Sequence, residues 1–199
     1  MGKALSEMSL AELWQLFPIR LTAHQDCWAG QYQEEEARLR ALLKPGAIGR
    51  ISHIGSTAVP GIWAKPIVDI LLETAPEEDW APLKQSLLEN GYLCMSQCAG
   101  RMSFNRGYTE NGFAQRVFHL HLRAPGDWDE LYFRDYLRQY PQAAREYEAL
   151  KLELWKRFEH DRDGYTAAKG AFVENCTRRA RQMWPGRYEP PASGPQMIP

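Results

Sequence analysis

The amino-acid sequence predicts an α+β fold, with a mixed β-sheet backed by helices and a helical C-terminal part from about residue 127. Three apolar runs of strand length, at residues 51–54, 67–72 and 117–122, predict neighbouring strands. Asn111-Gly112 is typical of a two-residue hairpin turn leading into the third run. Beyond residue 127, apolar residues recur at spacings of three and four, which indicates amphipathic helices.

Length and composition indicate one domain. The chain has 199 residues, which is enough for a sizeable core, and no internal repeat divides it. We assign residues 1–184 to a single domain. Residues 185–199 are rich in proline, glycine and polar residues, and we predict that they form a flexible tail.

Charge and apolar content exclude two classes of partner. A net charge of −1 leaves no basic surface of the kind that binds duplex nucleic acid. No apolar run is long enough to cross a bilayer, and the N-terminus lacks a signal-peptide segment, so we predict a cytoplasmic protein without a membrane partner. Cys27, Cys94, Cys98 and Cys176 are too scattered for a zinc knuckle.

The N-terminal elements are predicted from caps and periodicity. Ser9 and Glu12 have the spacing of a capping box, so a short helix begins there. Alternation across residues 19–23 predicts a strand, and residues 25–44 carry a helical apolar face. We expect the acidic run at residues 34–36 to be a solvated face of that helix.

A helix and a hairpin follow the second apolar run. The acidic residues 77–79 begin a helix that ends at Asn90-Gly91. Residues 92–95 have a strand pattern, and Met102, Phe104 and Arg106 alternate towards the hairpin turn.

Three helices are predicted in the C-terminal part. Residues 127–130 have the pattern of a capping box for the first of them. Pro141 suits the first position of the second helix, because its fixed φ is already helical and it has no N–H to leave unpaired. A third helix is expected from about residue 166 to residue 183.

Residues 51–72 carry the main functional pattern of the sequence. Gly55, Ser56 and Thr57 join two apolar runs and offer a close backbone approach, two hydroxyls and successive N–H groups, which suit an anion. Twelve residues separate Ser56 from Asp69, a carboxylate set inside an apolar strand. We therefore predict that phosphate or a nucleotide binds at residues 55–57, close to Asp69.

Four segments, HIGSTAVPG, AKPIVDIL, FRDYLRQYP and EYEALK, together resemble the GrpB protein family. The resemblance extends from about Ile19 to Met183. It implies a nucleotidyltransferase-like fold, whose core pattern is Gly-Gly or Gly-Ser, a spacer, and Asp-x-Asp/Glu on a strand. Gly55-Ser56 and Asp69 match this pattern, whereas Leu71 stands at the position of the second carboxylate.

The resemblance also implies a third metal ligand on the strand after the hairpin, where this sequence reads HLHL. His119 and His121 lie on one face of that strand, because side chains alternate between faces. We predict that Asp69, His119 and His121 are catalytic and bind a divalent metal (Mg, Mn or Zn), although imidazole suits Zn or Mn better than Mg. A structural role for the pair is the alternative. Glu73 lies about 13 Å beyond Asp69 along an extended strand, too far to share its ion.

Two lysines complete the predicted phosphate site. Lys65 lies between the loop and Asp69, and Pro66 keeps its backbone extended. Lys169 belongs to the segment YTAAK, which resembles the family's C-terminal pattern. His53 is expected to face either this cleft or the core. Further cations that can serve a phosphate are Arg101, Arg106, Arg116 and Lys151.

Two function classes follow from these residues. The first is a metal-dependent enzyme that binds a nucleotide and transfers a nucleotidyl or phosphoryl group to a small acceptor. The second is a non-catalytic module on the same fold that binds a nucleotide or another anionic small molecule. Fold kinship does not distinguish them.

Overall fold

The computed structural model describes residues 3–190, which form one mixed sheet and six α-helices. The strands are β1 (Ile48–Ile54), β2 (Val68–Thr74), β3 (Leu93–Cys98), β4 (Arg101–Thr109) and β5 (Gly112–Arg123). The helices are α1 (Leu10–Leu16), α2 (Cys27–Leu42), α3 (Trp80–Glu89), α4 (Asp129–Gln139), α5 (Pro141–Phe158) and α6 (Arg162–Met183). This arrangement confirms the predicted α+β class.

The sheet has the strand order β1-β2-β5-β4-β3. Its central pair, β2 and β5, is parallel, and the other neighbours are antiparallel. The three apolar runs therefore lie side by side, as predicted. The hairpin between β4 and β5 closes with Thr109 opposite Gly112, at the predicted Asn-Gly turn.

Each face of the sheet is covered by a different layer of helices. Alternate residues of β2 and β5, including Ile70 and Leu120, pack with Trp28 of α2 and Leu83 of α3 in the main core. The intervening residues face the layer formed by α4, α5 and α6, where Leu71 packs against Leu131. Because side chains alternate along a strand, Asp69, His119 and His121 face this second layer.

The prediction of a strand at residues 19–23 is wrong. That stretch makes only one isolated bridge, between Thr22 and Ala64. Ile19 is buried against Leu154 of α5 and Tyr165 of α6. Its backbone N–H donates to the carbonyl of Glu159 at 2.7 Å. The alternation therefore arises from an extended chain lying against helices, which buries Ile19 and Leu21 but not Ala23.

The capping box predicted at residues 127–130 is also wrong. The helix begins at Asp129, and its N-cap residue, Trp128, makes no side-chain capping bond. The Asp127 carboxylate instead pairs with Arg181 at 2.6 Å and accepts a bond from the Tyr188 backbone N–H at 3.1 Å. Asp127 thus ties the start of α4 to the end of α6.

Part of the predicted tail contacts the domain. Residues 185–188 form a turn, and Tyr188 packs with Tyr132 and donates a hydrogen bond to Asp135. Residues 191–199 lie outside the described residues. Between residues 3 and 190, no helix has the length and apolar character to cross a membrane.

Glu35 corrects the prediction that residues 34–36 are a solvated face. Its side chain is buried, and it accepts hydrogen bonds from Tyr92 at 2.6 Å, from Arg38 at 2.8 Å and from Arg106. Glu34, by contrast, is exposed and pairs with Arg116. One acidic residue of this run therefore fastens α2 to the sheet.

Glu35→Ala is expected to lower the free energy of unfolding by about 3 kcal/mol, because it leaves two guanidiniums and a buried phenol without their acceptor. Glu34→Ala removes the same charge from an exposed pair and should cost less than about 1 kcal/mol. Urea unfolding of both variants makes the comparison. Equal losses would show that the buried network contributes nothing beyond a surface pair.

Candidate functional site

Gly55 sets the geometry of the loop after β1. Its φ of 70° and ψ of −171° lie in a region that is essentially restricted to glycine. A Cβ at this position would collide with the Asp69 carboxylate and would lie 3.0 Å from the Asp69 Cβ. The space expected to admit a ligand beside Gly55 is therefore filled by Asp69, and the glycine is needed to seat that carboxylate.

Asp69 and His119 are opposite each other in the parallel pairing of β2 and β5. The Asp69 Oδ1 lies 3.2 Å from His119 Nδ1, and the other ring nitrogen of His119 lies 2.8 Å from the Tyr108 hydroxyl. Burial lowers the pKa of His119 below its ordinary value, against the opposing effect of Asp69. The neutral ring thus donates a hydrogen bond from Nδ1 to Asp69 and accepts one at Nε2 from the Tyr108 hydroxyl.

Asp69 also approaches His121, whose Nε2 lies 3.6 Å from the same Oδ1. Burial alone would raise the pKa of Asp69, but the interactions with His119 and His121 lower it below its ordinary value. The carboxylate is therefore charged at neutral pH. The structure brings together all three residues that the sequence selected as catalytic.

This arrangement does not fit a divalent metal. Both ring nitrogens of His119 are engaged, which leaves no lone pair for an ion, and both histidines point at one carboxylate oxygen. No group of three or more potential ligands capable of holding a metal ion occurs among residues 3–190. The metal site stays a prediction from sequence that the geometry does not support.

The surroundings of Leu71 explain why this position does not carry the second carboxylate of the nucleotidyltransferase-like pattern. Its side chain is fully buried between Ile54 of β1 and Leu131 of α4. An ionised carboxylate here would lose its hydration without gaining a cation, at a cost of several kcal/mol. The position of the second carboxylate in the nucleotidyltransferase-like pattern is thus part of the packing between the sheet and the C-terminal helices.

A small cavity of about 180 Å³ lies between the loop and α5 and α6. All five residues predicted to bind phosphate line it, namely Gly55, Ser56, Thr57, Lys65 and Lys169. Its lining also includes Asp69, His119 and Lys151. Lys65 comes from the segment before β2, Lys151 from α5 and Lys169 from α6. Three ammonium groups from distant parts of the chain therefore surround one cavity.

These lysines have aromatic neighbours and no carboxylate partner. Lys65 and Lys169 lie 5.5 and 4.2 Å from the centre of the Tyr165 ring. Lys151 lies over the Tyr147 ring and donates to the Trp63 carbonyl. Over the described part of the chain, none of the three forms an ion pair.

Burial is the main cause that lowers the pKa of each lysine, and the neighbouring cations lower it further, while Asp69 opposes the shift at Lys65 and Lys169 and Glu148 opposes it at Lys151. Burial and Arg162 bring the pKa of Lys65 to about 8. Burial and Lys169 bring the pKa of Lys151 to about 7, and burial and Lys65 bring that of Lys169 to about 7. Each ammonium would gain free energy from a nearby anion.

Thr57 and His53 have structural roles. The Thr57 hydroxyl donates to the Ile67 carbonyl at 3.2 Å and lies 3.0 Å from His53 Nε2. His53 stacks on Tyr32 of α2, and burial lowers its pKa to about 4. His53 is therefore neutral and faces the core, and the Thr57 hydroxyl holds the loop rather than a ligand.

The hairpin arginines are not at the small cavity. Arg106 pairs with Glu35, and Arg116 pairs with Glu34. Arg101 lies 5.0 Å from the Trp128 ring and lines a larger neighbouring cavity.

Sequence reasoning gave too little weight to Lys151 and missed Tyr108 and Tyr165. A signal for Lys151 was present, since it stands four residues after Tyr147 and three before Leu154 on the buried stripe of α5. Tyr108 and Tyr165 read as ordinary core aromatics, and only the structure shows their contacts.

Comparisons with known proteins agree with this fold. The family model described as GrpB protein matches residues 18–179. The chain is 31% identical over 186 residues to the UPF0157 protein YqkA of Bacillus subtilis, covering 89% of this chain but only 52% of that protein. It is 26% identical over 188 residues to a dephospho-CoA kinase of Mycolicibacterium paratuberculosis, covering 82% of this chain and 46% of that enzyme. The chain thus spans about half the length of these two relatives.

A solved structure extends the match to three dimensions. The crystal structure of the conserved protein GrpB from Enterococcus faecalis superposes with a TM-score of 0.70 at 29% identity. The superposition covers 83% of this chain and 99% of the crystallised one. On the matched family model and this shared fold, the chain belongs to the GrpB protein family.

Proposed function

We propose that this chain binds a phosphate-bearing small molecule, with its phosphate group among Lys65, Lys151 and Lys169. The observation that carries the proposal is the convergence of these three lysines on one small cavity whose lining has a single carboxylate, Asp69, which already faces His119 and His121. Lys151 is buried and Lys65 and Lys169 are half-buried, and cations withdrawn from water are normally paired, because an unpaired charge loses hydration free energy. An anion in the cavity would supply the missing partner.

A purely structural role accounts for only part of the cluster. Lys151 donates to the Trp63 carbonyl, and such a bond is a common use of a buried lysine. Lys65 and Lys169 instead face the ring of Tyr165. Three like charges around one cavity destabilise the fold, and such strain is typical of a binding site.

The named relatives add modest support. One of them is called a dephospho-CoA kinase, which by its name acts on a phosphate-bearing coenzyme. Because the chain matches less than half of that enzyme, we take from it only the class of ligand, a phosphate-bearing small molecule.

Metal-dependent transfer of a nucleotidyl or phosphoryl group has less support than binding. Leu71 occupies the position of the second carboxylate, and the nitrogens of His119 already have partners. In the binding function, Asp69 and His119 keep the loop and β5 in place beside the lysines. No step of this function needs a metal.

Binding is tested by titrating the protein with ADP, AMP and pyrophosphate, with and without Mg²⁺, Mn²⁺ and Zn²⁺, and following Tm. A ligand that binds only the folded state raises Tm. We expect a rise with phosphate-bearing ligands in the absence of metal and none with adenosine. No response to any phosphate compound in isothermal titration would refute the proposal.

Binding should weaken as pH rises. The lysine pKa values of about 7 to 8 mean that the ammonium protons are lost across that range, so affinity for ADP is expected to fall by about tenfold or more between pH 7 and pH 9. The phosphate itself changes little there, since its last proton leaves near pH 6.

The lowered lysine pKa values also predict that the protein takes up protons when it binds ADP. A bound anion raises the lysine pKa values, so at pH 7.5 the protein should take up protons as ADP binds. Calorimetry in two buffers with different ionisation enthalpies measures the number of protons. Identical heats in both buffers would mean that the lysines do not titrate with binding.

A further inference from the structure

The lysine cavity adjoins a second, larger cavity of about 570 Å³, which lies between β2, β5, the start of α4 and the end of α6. The two cavities share four lining residues, namely Gly55, Asp69, Phe133 and Tyr147. They are therefore two lobes of one cleft, and the Asp69 carboxylate lies where the lobes meet.

The larger lobe has the opposite charge. Its lining includes four carboxylates, from Asp69, Asp127, Asp129 and Glu130, and two guanidiniums, from Arg101 and Arg181. Arg181 is already paired with Asp127 at 2.6 Å and Asp129 at 2.5 Å, while Arg101 lies against the Trp128 ring. The lining of the large lobe thus has four carboxylates against two guanidiniums, with Arg123 outside the lining at 3.8 Å from Glu130, whereas the small lobe has three lysines against Asp69.

A second observation points to a ligand in the large lobe. Thr177 lines it and is 6% exposed, and its hydroxyl has no hydrogen-bond partner within residues 3–190. Buried hydroxyls are normally bonded, so this one has capacity for a polar group. Trp128 also lines this lobe, and the guanidiniums of Arg101 and Arg123 lie within 6 Å of its ring.

We propose that the large lobe binds a cationic amine, so that the ligand of this cleft is a small molecule with a phosphate at one end and an amino group at the other. This inference rests on the proposed phosphate site. The phosphate occupies the lysine lobe, the chain of the ligand passes Asp69, Phe133 and Tyr147 in the shared lining, and the ammonium group lies near the carboxylates of Asp129 and Glu130.

Two sugar phosphates that differ only by an amine test the proposal. Glucosamine 6-phosphate and glucose 6-phosphate are titrated calorimetrically at pH 6.5, where the sugar amine and the lysines are protonated. We expect the aminosugar to bind about tenfold more tightly, which is the contribution of a hydrogen bond to a charged group. Pyrophosphate serves as the probe of the lysine lobe alone.

Glu130→Gln and Asp129→Asn remove single charges from the large lobe. Each should reduce the preference for the aminosugar several-fold while leaving pyrophosphate affinity unchanged. Glu153→Gln, on the exposed side of α5, changes net charge equally and should keep the full preference. A preference that survives both substitutions in the large lobe would overturn the proposal.

The remaining outcomes separate the two proposals. Equal binding of the two sugar phosphates, with pyrophosphate still bound, overturns the amine subsite and leaves the phosphate site standing. Failure of pyrophosphate and both sugar phosphates to bind overturns the phosphate site, and the amine subsite with it.

Discussion

Replacing Lys169 by methionine is expected to weaken ADP binding by about tenfold to a hundredfold and, at the same time, to stabilise the fold. The loss of affinity corresponds to one charged hydrogen bond of about 1.5–3 kcal/mol. The gain in stability follows because burial and Lys65 lower the pKa of Lys169 to about 7, so its charged form is held against a penalty. Methionine keeps the packing over Tyr165 and removes that penalty.

The stabilisation should be on the order of 1 kcal/mol, which for a chain of this size is a rise in Tm of about 2–4 °C. The pH dependence of the free energy of unfolding checks the direction of this change. The folded state binds fewer protons at these lysines than the unfolded state between about pH 7 and 10.5, so wild-type stability rises with pH in this window. Lys169→Met should show a smaller rise.

Lys156→Met is the matched control, because Lys156 lies on the exposed side of α5. It removes the same charge and should leave ADP affinity and Tm close to wild type. Thermal unfolding and calorimetric titration of both variants decide the result. A Lys169→Met protein with lower stability and unchanged affinity would show that the lysine is structural.

Gly55→Ala is expected to lower the free energy of unfolding by about 3 kcal/mol or more. Two costs add at this position. A non-glycine residue at this φ and ψ is strained by about 1–3 kcal/mol, and the added methyl group collides with the Asp69 carboxylate. The larger side chain in Gly55→Val should prevent folding at physiological temperature.

Gly61→Ala separates the two costs. Gly61 also has a positive φ, of 77°, but a Cβ there would meet nothing within 4 Å. It should therefore lose only the strain term, about 1 kcal/mol. Urea unfolding measures both variants, and equal losses would show that contact with Asp69 adds no penalty.

A double substitution then identifies the colliding group. Asp69→Ala removes the carboxylate, so Gly55→Ala should cost less in the Asp69→Ala background than in the wild type, with a coupling of about 1–2 kcal/mol. Additive losses would mean that the methyl group disturbs some other contact.

The sequence alone determined the elements whose signals are local. Alternation and the Asn-Gly turn predicted β1, β2 and β5 as neighbours, because the period of a strand and the geometry of a tight turn depend on residues close together in the chain. The same logic failed at residues 19–23, where an extended segment against helices produces the same alternation. It failed again at Glu35, since composition does not show which acidic residue meets the sheet.

Most of the candidate site residues were also selected from the sequence, but their roles were decided by the tertiary structure. Tyr108 of β4 decides between a metal and a hydrogen bond at Asp69. Its hydroxyl engages one ring nitrogen of His119, and the other ring nitrogen then donates to Asp69. The site of Lys65 is completed by Lys151 and Lys169, from helices that dock on the opposite side of the loop. Burial and neighbouring charge set the pKa of a lysine, and both arise only when distant segments pack together.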